Sequence, residues 1–312
     1  MLPFAQKLLD AEVKYDAAFA EGVEALREGI DIVWPEKATK IELPGTETAL
    51  HGFLAEMPLF RKWTGDREPR RLNVGSYTVT VEDYEFSYAV HRNDIKYDRF
   101  GIVATHMRAA GVAQRRWQED LINTAQSSGK TTACFDGEPY YSTSHPQGLN
   151  GQNGTFGNLW TGMALTVDNI MARFEYMTKI QDANGRRMGV RPNILEYGPG
   201  DLAAIRVALE AEIIGVAVAG TPGGAASQSN VAARGLVTPI LNPELEDGVW
   251  YLHDTRILKP FFIQEETPPT GIEARFDPED PHVWDNNEFL YGARATGAPG
   301  YTLPHLSARN EE

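Results

Sequence analysis

Asp136-Gly137-Glu138-Pro139-Tyr140-Tyr141-Ser142-Thr143-Ser144-His145-Pro146 is the stretch on which the reading of this 312-residue chain turns. By its chemistry it is an ordered, turn-rich loop that follows a long amphipathic segment. Asp136 and His145 offer a carboxylate and an imidazole, the ingredients of a base and its orienter or of a metal pair, and Ser142 or Ser144 could be nominated as nucleophile. Nothing in the spacing makes these side chains converge, and no His-x-x-x-His or Glu-x-x-His helix pair supports a metal site. A histidine before proline in such a loop is expected to hydrogen-bond a backbone carbonyl. A hydrolase using Asp136, Ser144 and His145 is therefore the minor alternative, and no catalytic, cofactor-binding or metal-ligating residue is expected.

Upstream, residues 98–128 carry a helical period. Val103, Met107, Ala110, Trp117, Leu121 and Ala125 fall on one side, while Arg108, Arg115, Arg116, Glu119 and Asp120 mostly fall elsewhere. Gly101 and Gly111 interrupt the pattern, so the helix is expected to begin late or bend, and Gly129 supplies a stop. At ~20–30 residues it would run ~30–45 Å, the length of a spine. Its end, Ser127-Ser128-Gly129-Lys130-Thr131-Thr132, imitates the end of a phosphate-binding loop. However, Thr124 stands where the first glycine is required, and the segment follows a helix instead of opening one. Cys134, the single cysteine, excludes an internal disulfide and a multi-cysteine zinc site, and reads as a small apolar filler.

Further upstream the period is two. Tyr77, Val79 and Val81 alternate with Thr78, Thr80 and Glu82, and Tyr84, Phe86, Tyr88 and Val90 with Glu85, Ser87 and Ala89, which predicts a hairpin or bent ribbon with one apolar face. The aromatics imitate a base-stacking platform, but no basic groove accompanies them, so they are expected to pack a sheet. Residues 36–75 read as irregular, and the first thirty as a helix with Leu9, Val13, Val23, Leu26 and Ile30 roughly in phase, ended by Pro35.

Downstream, Thr166 is placed to cap a helix whose face is Val167, Ile170, Met171, Phe174, Met177 and Ile180. Arg191–Tyr197 reads as a short buried strand. Pro199-Gly200-Asp201 then opens a helix carrying Leu202, Ile205, Leu209 and Ile213. Residues 220–235, rich in glycine, serine and alanine, are expected to be the most mobile part. From Val249 to Tyr301, short strands such as Ile257–Gln264 are expected between proline-rich turns.

The net charge of −14 argues against a protein whose main task is gripping nucleic acid. The charge is uneven: residues 1–59 hold 11 acids and 5 bases, and residues 265–312 hold 10 acids and 3 bases. Against this, Arg61, Lys62, Arg67, Arg70 and Arg71 crowd into residues 60–71, a basic patch suited to acidic surface on a neighbouring copy. No apolar run reaches bilayer-spanning length, and Met1–Lys7 has no basic stretch followed by an apolar core, so neither a membrane span nor a signal peptide is expected.

Five blocks, in order, resemble the Mu-like phage major head subunit family. Pro58 through Arg67 resembles its P-x-x-R-x-W-x-G-x-R stretch, and Tyr77 through Arg92, leading to Asp94-Ile95-Lys96-Tyr97-Asp98, its strand and acidic helix start. Cys134 through Pro146 resembles its DG-x-P-[FY]-[FY]-x-T-x-HP signature. Gly189-Val190-Arg191-Pro192-Asn193 followed by Pro199 resembles a later strand entry, and Tyr291-Gly292-Ala293-Arg294 with Gly300-Tyr301 the closing segment. The chain departs from the family pattern at Lys96-Tyr97 and at Ser144, which stands in place of an aspartate.

The resemblance implies an α+β fold of the Hong Kong 97 (HK97) phage capsid type. Residues 1–50 would then be the N-terminal arm, 51–93 the extended loop and its strands, 94–189 the peripheral domain with its spine helix, 190–250 the axial domain, and 251–312 strands returning to these domains. It further implies a non-catalytic subunit, without cofactor, that assembles in the host cytoplasm into the hexamers and pentamers of an icosahedral virion shell around double-stranded DNA. Its partners would be itself, scaffold and portal proteins and a decoration protein, with no membrane. Arg61, Lys62, Arg67, Arg70 and Arg71 are the expected inter-subunit contacts, and an encapsulin-like nanocompartment shell is the alternative within the same fold.

Overall fold

The computed structural model describes residues 4–28, 30–54, 74–97, 101–147, 154–182, 185–211, 213–217, 225–229, 235–275, 277 and 280–312. In chain order the helices are α1 (Phe4–Glu24), α2 (Trp34–Lys37), α3 (Arg92–Tyr97), α4 (Ile102–Ser128), α5 (Val167–Thr178), α6 (Leu202–Ile205) and α7 (Pro281–Asn286). The early strands are β1 (Ala38–Glu42), β2 (Thr48–Leu54), β3 (Val74–Thr80), β4 (Glu82–His91), β5 (His145–Pro146), β6 (Thr155–Phe156), β7 (Leu159–Trp160) and β8 (Ile194–Tyr197). They are followed by β9 (Ile213–Ala217), β10 (Ala225–Ser229), β11 (Thr238–Leu241), β12 (Val249–His253), β13 (Phe261–Thr267), β14 (Glu273–Arg275), β15 (Glu288–Tyr301) and β16 (Ser307–Glu311).

Two five-stranded sheets organise these elements. One runs β1-β13-β15-β14 with β4 on the other edge of β15, and the other runs β11-β8-β12-β16-β7. α4 lies between them in the packing. Its Met107 and Ala110 meet α1 and the β15 residues Phe289 and Tyr291, while Leu121, Ile122 and Ala125 join Tyr140, Tyr251, Phe261 and Tyr301 in a second core. A third core fills the other sheet, where Leu195, Trp250, Leu252 and Ala308 pack against Ile170 and Met177 of α5 and Ile205 of α6.

The spine helix forms as its period predicts, and it begins late: Gly101 takes φ +66 as its N-cap, which separates α4 from α3. Gly111 serves close approach. A Cβ there would stand 2.1 Å from the Phe19 carbonyl oxygen, and one at Gly22 of α1 would stand 2.1 Å from the Arg108 carbonyl oxygen. α1 itself is phased differently from the expectation. Leu8, Tyr15, Ala18 and Phe19 are buried, whereas Leu9, Val13 and Ile30 stay exposed, because α4 and β15 engage the face built around the large Tyr15 and Phe19 rings. Glu119, expected on the polar side of α4, is buried and accepts the backbone N–H groups of Val33 (2.8 Å) and Trp34 (2.7 Å) at the start of α2.

Residues 74–91 form a ribbon broken at Val81, whose N–H donates to the Glu47 carbonyl. β3 pairs with β2 as a separate two-stranded ribbon, while β4 pairs along its whole length with β15. The segment expected to be irregular therefore holds β1 and β2. β1 has only one buried residue and is ordered by parallel pairing to β13, a tertiary cause that leaves no alternation to read. β15 likewise hides behind Gly292, Gly297, Pro299 and Gly300, yet it is a continuous 14-residue strand. Added Cβ atoms at those glycines would meet the Phe86 carbonyl oxygen at 2.7 Å, the Gln264 carbonyl oxygen at 2.9 Å and the Phe262 ring at 2.2 Å, so the glycines serve tight pairing. Strand β13 starts at Phe261, and Ile257 is an exposed loop residue.

Thr166 caps α5, its hydroxyl accepting from the Asn169 N–H at 3.3 Å. Ile194–Tyr197 is fully buried, as expected of that strand. The helix opened by Pro199 ends in a π-turn at Arg206–Glu210, and Ile213 already belongs to β9. Within 220–235, Ala225–Ser229 is a strand paired with β9, and the flanking residues 218–224 and 230–234 lie outside the described residues.

Candidate functional site

The loop that follows α4 ties the two halves of the molecule together. Tyr141 N–H donates to the Gly129 carbonyl (2.8 Å) and Tyr140 N–H to that of Thr132 (3.0 Å), which folds the loop back onto the helix end. Gly129 is needed for that contact, since a Cβ there would stand 2.7 Å from the Tyr141 ring. The phosphate-loop imitation is thus a helix terminus under an aromatic ring, with Lys130 paired to Glu311 at 2.9 Å.

The two tyrosines reach opposite sheets. Tyr140 stacks on Tyr301 of β15 at 4.5 Å and 17°, and its hydroxyl donates to the Pro260 carbonyl at 3.1 Å. The Tyr141 hydroxyl pairs with that of Ser307 in β16 at 2.8 Å, and Tyr301 donates to the Ala125 carbonyl of α4 at 2.7 Å. Burial pushes both loop phenols well above the ordinary tyrosine range.

Asp136 and His145 do converge, through the turn at Cys134–Glu138 and the short β5–β6 pairing. His145 is fully buried, with Nδ1 2.8 Å from Asp136 Oδ2. Its Nε2 lies 3.1 Å from the Tyr140 carbonyl oxygen, the backbone contact expected for it, and 3.2 Å from Asn158 Oδ1. Burial pushes the Asp136 carboxyl up, but the hydrogen bonds from His145 and Cys134 outweigh it and hold it below the usual carboxylate range. Cys134 is buried, 3.0 Å from Asp136 Oδ1, and burial raises its thiol far above its ordinary value. Ser144 is exposed, and its N–H donates to Ser142 Oγ at 3.2 Å. With both ring nitrogens committed to Asp136, Tyr140 and Asn158, the Asp136–Ser144–His145 triad is not assembled.

Sequence reasoning missed a second buried polar cluster. Lys37 Nζ, at the end of α2, contacts Glu196 of β8 and lies 2.7 Å from Gln126 Oε1 of α4. Glu196 also accepts from Gln126 (2.7 Å) and Asn242 (2.6 Å) and lies 3.0 Å from His253 Nε2. Burial pushes the Glu196 carboxyl up, yet the Lys37 charge and the His253 hydrogen bond carry it far below its ordinary value. These residues lie far apart in sequence, and no local spacing announces them.

Several large apolar side chains stand exposed among the described residues. Trp284 is 80% exposed and Ile257 87%. A groove of about 600 Å³ between β4 and the start of α4 is lined by Tyr88, Val90, Tyr97, Ile102, Val103 and Met107. Arg61, Lys62, Arg67, Arg70 and Arg71 lie outside the described residues, in the segment 55–73 that joins the paired strands β2 and β3. No helix among the described residues is long and apolar enough to cross a membrane.

A family model, Mu-like prophage major head subunit gpT, matches residues 8–164 and 218–312. The major capsid protein of Escherichia phage Mu is 22% identical over 271 residues, covering 86% of this chain and 64% of that protein. The Mu-like prophage FluMu major head subunit of Haemophilus influenzae is 28% identical over 105 residues, 34% of each chain. The chain thus spans less than two thirds of these relatives' length. Among solved structures, the procapsid of bacteriophage JBD30 is similar with a TM-score of 0.56 at 20% identity, covering all of this chain and 76% of that one. The mature capsid of bacteriophage PhiM1 gives 0.55 at 12% identity, covering 90% and 86%. These likenesses make the fold that of an HK97-type phage capsid protein, and with the match of the family model over both stretches, the chain belongs to the Mu-like prophage major head subunit family.

Proposed function

We propose that this chain is a major capsid subunit that assembles with copies of itself into an icosahedral phage head enclosing double-stranded DNA, and that it acts without catalysis. The observation that supports this best is family membership. The apolar groove beside β4 is consistent with it, because contiguous apolar surface is costly in water and marks contact with another molecule. The β2–β3 ribbon, rooted on the β13–β15 sheet by Val79 against Phe262 and Tyr77 against Tyr301, is compatible with an extended loop formed by the segment that joins its strands. Many weak identical contacts then sum to a stable shell. The acidic chain is compatible with a DNA container, since filling the shell does not require the wall to grip phosphates.

The shell is proposed to consist of hexamers and pentamers located in the virion, built in the host cytoplasm with scaffold and portal proteins and able to take a decoration protein. The division into arm (1–50), extended loop (51–93), peripheral domain (94–189), axial domain (190–250) and returning strands (251–312) is proposed with it. An encapsulin-like nanocompartment is the second reading, favoured by likeness to the virus-like particle from Pyrococcus furiosus (TM-score 0.51, 8% identity, covering 96% and 98%). Negative-stain microscopy of the purified protein after size exclusion tests the assembly: shells, tubes or capsomer rings are expected. A monomer that persists when concentrated or crowded would overturn it. Packaging or portal genes beside this one would exclude the nanocompartment.

A further inference from the structure

We propose that Cys134, Asp136 and His145 form a divalent-metal site of the zinc class that closes the loop after α4 upon itself, fixing its turn at Cys134–Glu138 to β5. The three side chains each present a ligand atom, and those atoms lie within 4.8 Å of one another. Thiolate, imidazole nitrogen and carboxylate oxygen together are a donor set suited to zinc.

The hydrogen-bond pattern around His145 calls for a cation. Asn158 is fixed in orientation, because its Nδ2 donates to the carbonyls of Tyr140 (2.8 Å) and Pro304 (2.9 Å) while its Oδ1 accepts from the Ser142 N–H (2.9 Å). His145 Nε2 therefore faces only acceptors, the Tyr140 carbonyl and Asn158 Oδ1, and must carry a proton. That leaves Nδ1 aimed at Asp136 Oδ2 from 2.8 Å. A nitrogen lone pair facing a carboxylate at that distance is repulsive unless a positive charge sits between them, either a second proton on the ring or a metal ion. A histidine whose far N–H donates to a backbone carbonyl is the usual support of a metal-ligating imidazole.

Cys134 adds a third ligand atom. Its Sγ, which as a thiol donates to Asp136 Oδ1, stands 3.0 Å from the other oxygen of the same carboxylate, and as a thiolate it would face the same ion. Asp136 thus turns one oxygen to each of the other two ligands. Zinc bonds of ~2.0–2.3 Å in a tetrahedron place ligand atoms ~3.3–3.6 Å apart. An ion held through one Asp136 oxygen then needs the contact of 2.8 or 3.0 Å to widen by roughly half an ångström and the widest spacing of the set, up to 4.8 Å, to close. The turn that carries Cys134 and Asp136 is already closed by Cys134 N–H to the Glu138 carbonyl (2.8 Å) and Glu138 N–H to Asp136 Oδ1 (3.0 Å). The Asp136 side chain is 10% exposed, which gives a path from solvent, and a water can complete the fourth position.

The test is metal analysis of the untagged full-length chain, expressed with zinc in the medium and purified without chelator, followed by titration of the stripped protein with cobalt. One zinc per chain is expected, with a thiolate-to-cobalt charge-transfer band in the near ultraviolet and at least tenfold weaker binding in Cys134→Ser. Because Cys134 is the only cysteine, that band in the wild-type chain identifies the ligand even if the variant fails to fold. Substoichiometric metal with no charge-transfer band would assign the charge to a proton and overturn the proposal. So would a Cys134→Ser chain that folds and binds as tightly as the wild type.

Discussion

Lys37 and Glu196 are both fully buried, so neither charge is tolerable without the other. Lys37→Met leaves a carboxylate in the interior with only Gln126, Asn242 and His253 around it, and a loss of ~3–5 kcal/mol is expected. Adding Glu196→Gln removes the orphaned charge and should restore much of that loss, as urea unfolding of the unassembled subunit would reveal; equal destabilisation of single and double variants would argue that packing, not charge, is at stake. His305 makes a second case. It is buried beside Phe156, and burial, aided by the nearby His145 and opposed by Asp254, lowers its pKa from 6.5 to about 4. The unfolded chain therefore takes up a proton more readily than the folded one. The stability that His305 contributes is present above pH 6.5 and is lost as pH falls through this window towards 4, by roughly 3 kcal/mol in all. His305→Asn should flatten the dependence of the urea midpoint on pH between those limits, and an unchanged slope would count against a neutral buried His305.

At the scale of elements, two glycines make a close helix contact. Gly22 and Gly111 let the α1 and α4 backbones touch, since a Cβ on Gly22 would run into the Arg108 carbonyl and one on Gly111 into the Phe19 carbonyl. Gly111→Ala should push α1 outward at a cost of ~1–3 kcal/mol by overpacking, visible as faster hydrogen exchange confined to α1 and its neighbours. Uniform protection in the variant would mean that α1 shifts at no cost. The same contact explains what was legible in the sequence. The period of α4, the alternation of β3 and β4, the Thr166 cap and the loop signature were readable because each is a local pattern. The phase of α1 was not, because Leu9 and Val13 are as apolar as the residues that pack, and only the partner helix selects Tyr15 and Phe19. β1 and β15 escaped for a related reason, being strands ordered by their neighbours and, in β15, written in glycines that propensity counts as breakers. The convergence of Cys134, Asp136 and His145 depends on the turn and the β5–β6 pairing, which spacing alone does not specify.

At the scale of the molecule, charge separates along the chain, and in the proposed shell that separation would give assembly a direction. Five of the chain's 29 basic residues fall within residues 60–71, while the two terminal segments are strongly acidic. The strands flanking the basic segment, β2 and β3, pair with each other, so the segment joins the far ends of one ribbon. A basic segment joining such strands would meet the acidic surface of a neighbour more favourably than its own overall charge of −14 would allow for bare approach of two subunits. Charge reversal in Arg67→Glu/Arg71→Glu turns that attraction into repulsion. The expected outcome is assembly slowed or abolished, with thermal unfolding of the isolated subunit unchanged, and a wild-type defect that grows with salt, since exposed charges are screened beyond ~10 Å at 0.1 M. Particle yield by light scattering, read beside the melting curve of the monomer, separates the two effects. A double variant that yields normal particles at low salt would move the assembly contacts away from this segment and onto the exposed apolar groups, the groove at Tyr97 and Ile102 or Trp284 of α7, where a single large-to-charged substitution such as Trp284→Asp would then be expected to block the shell.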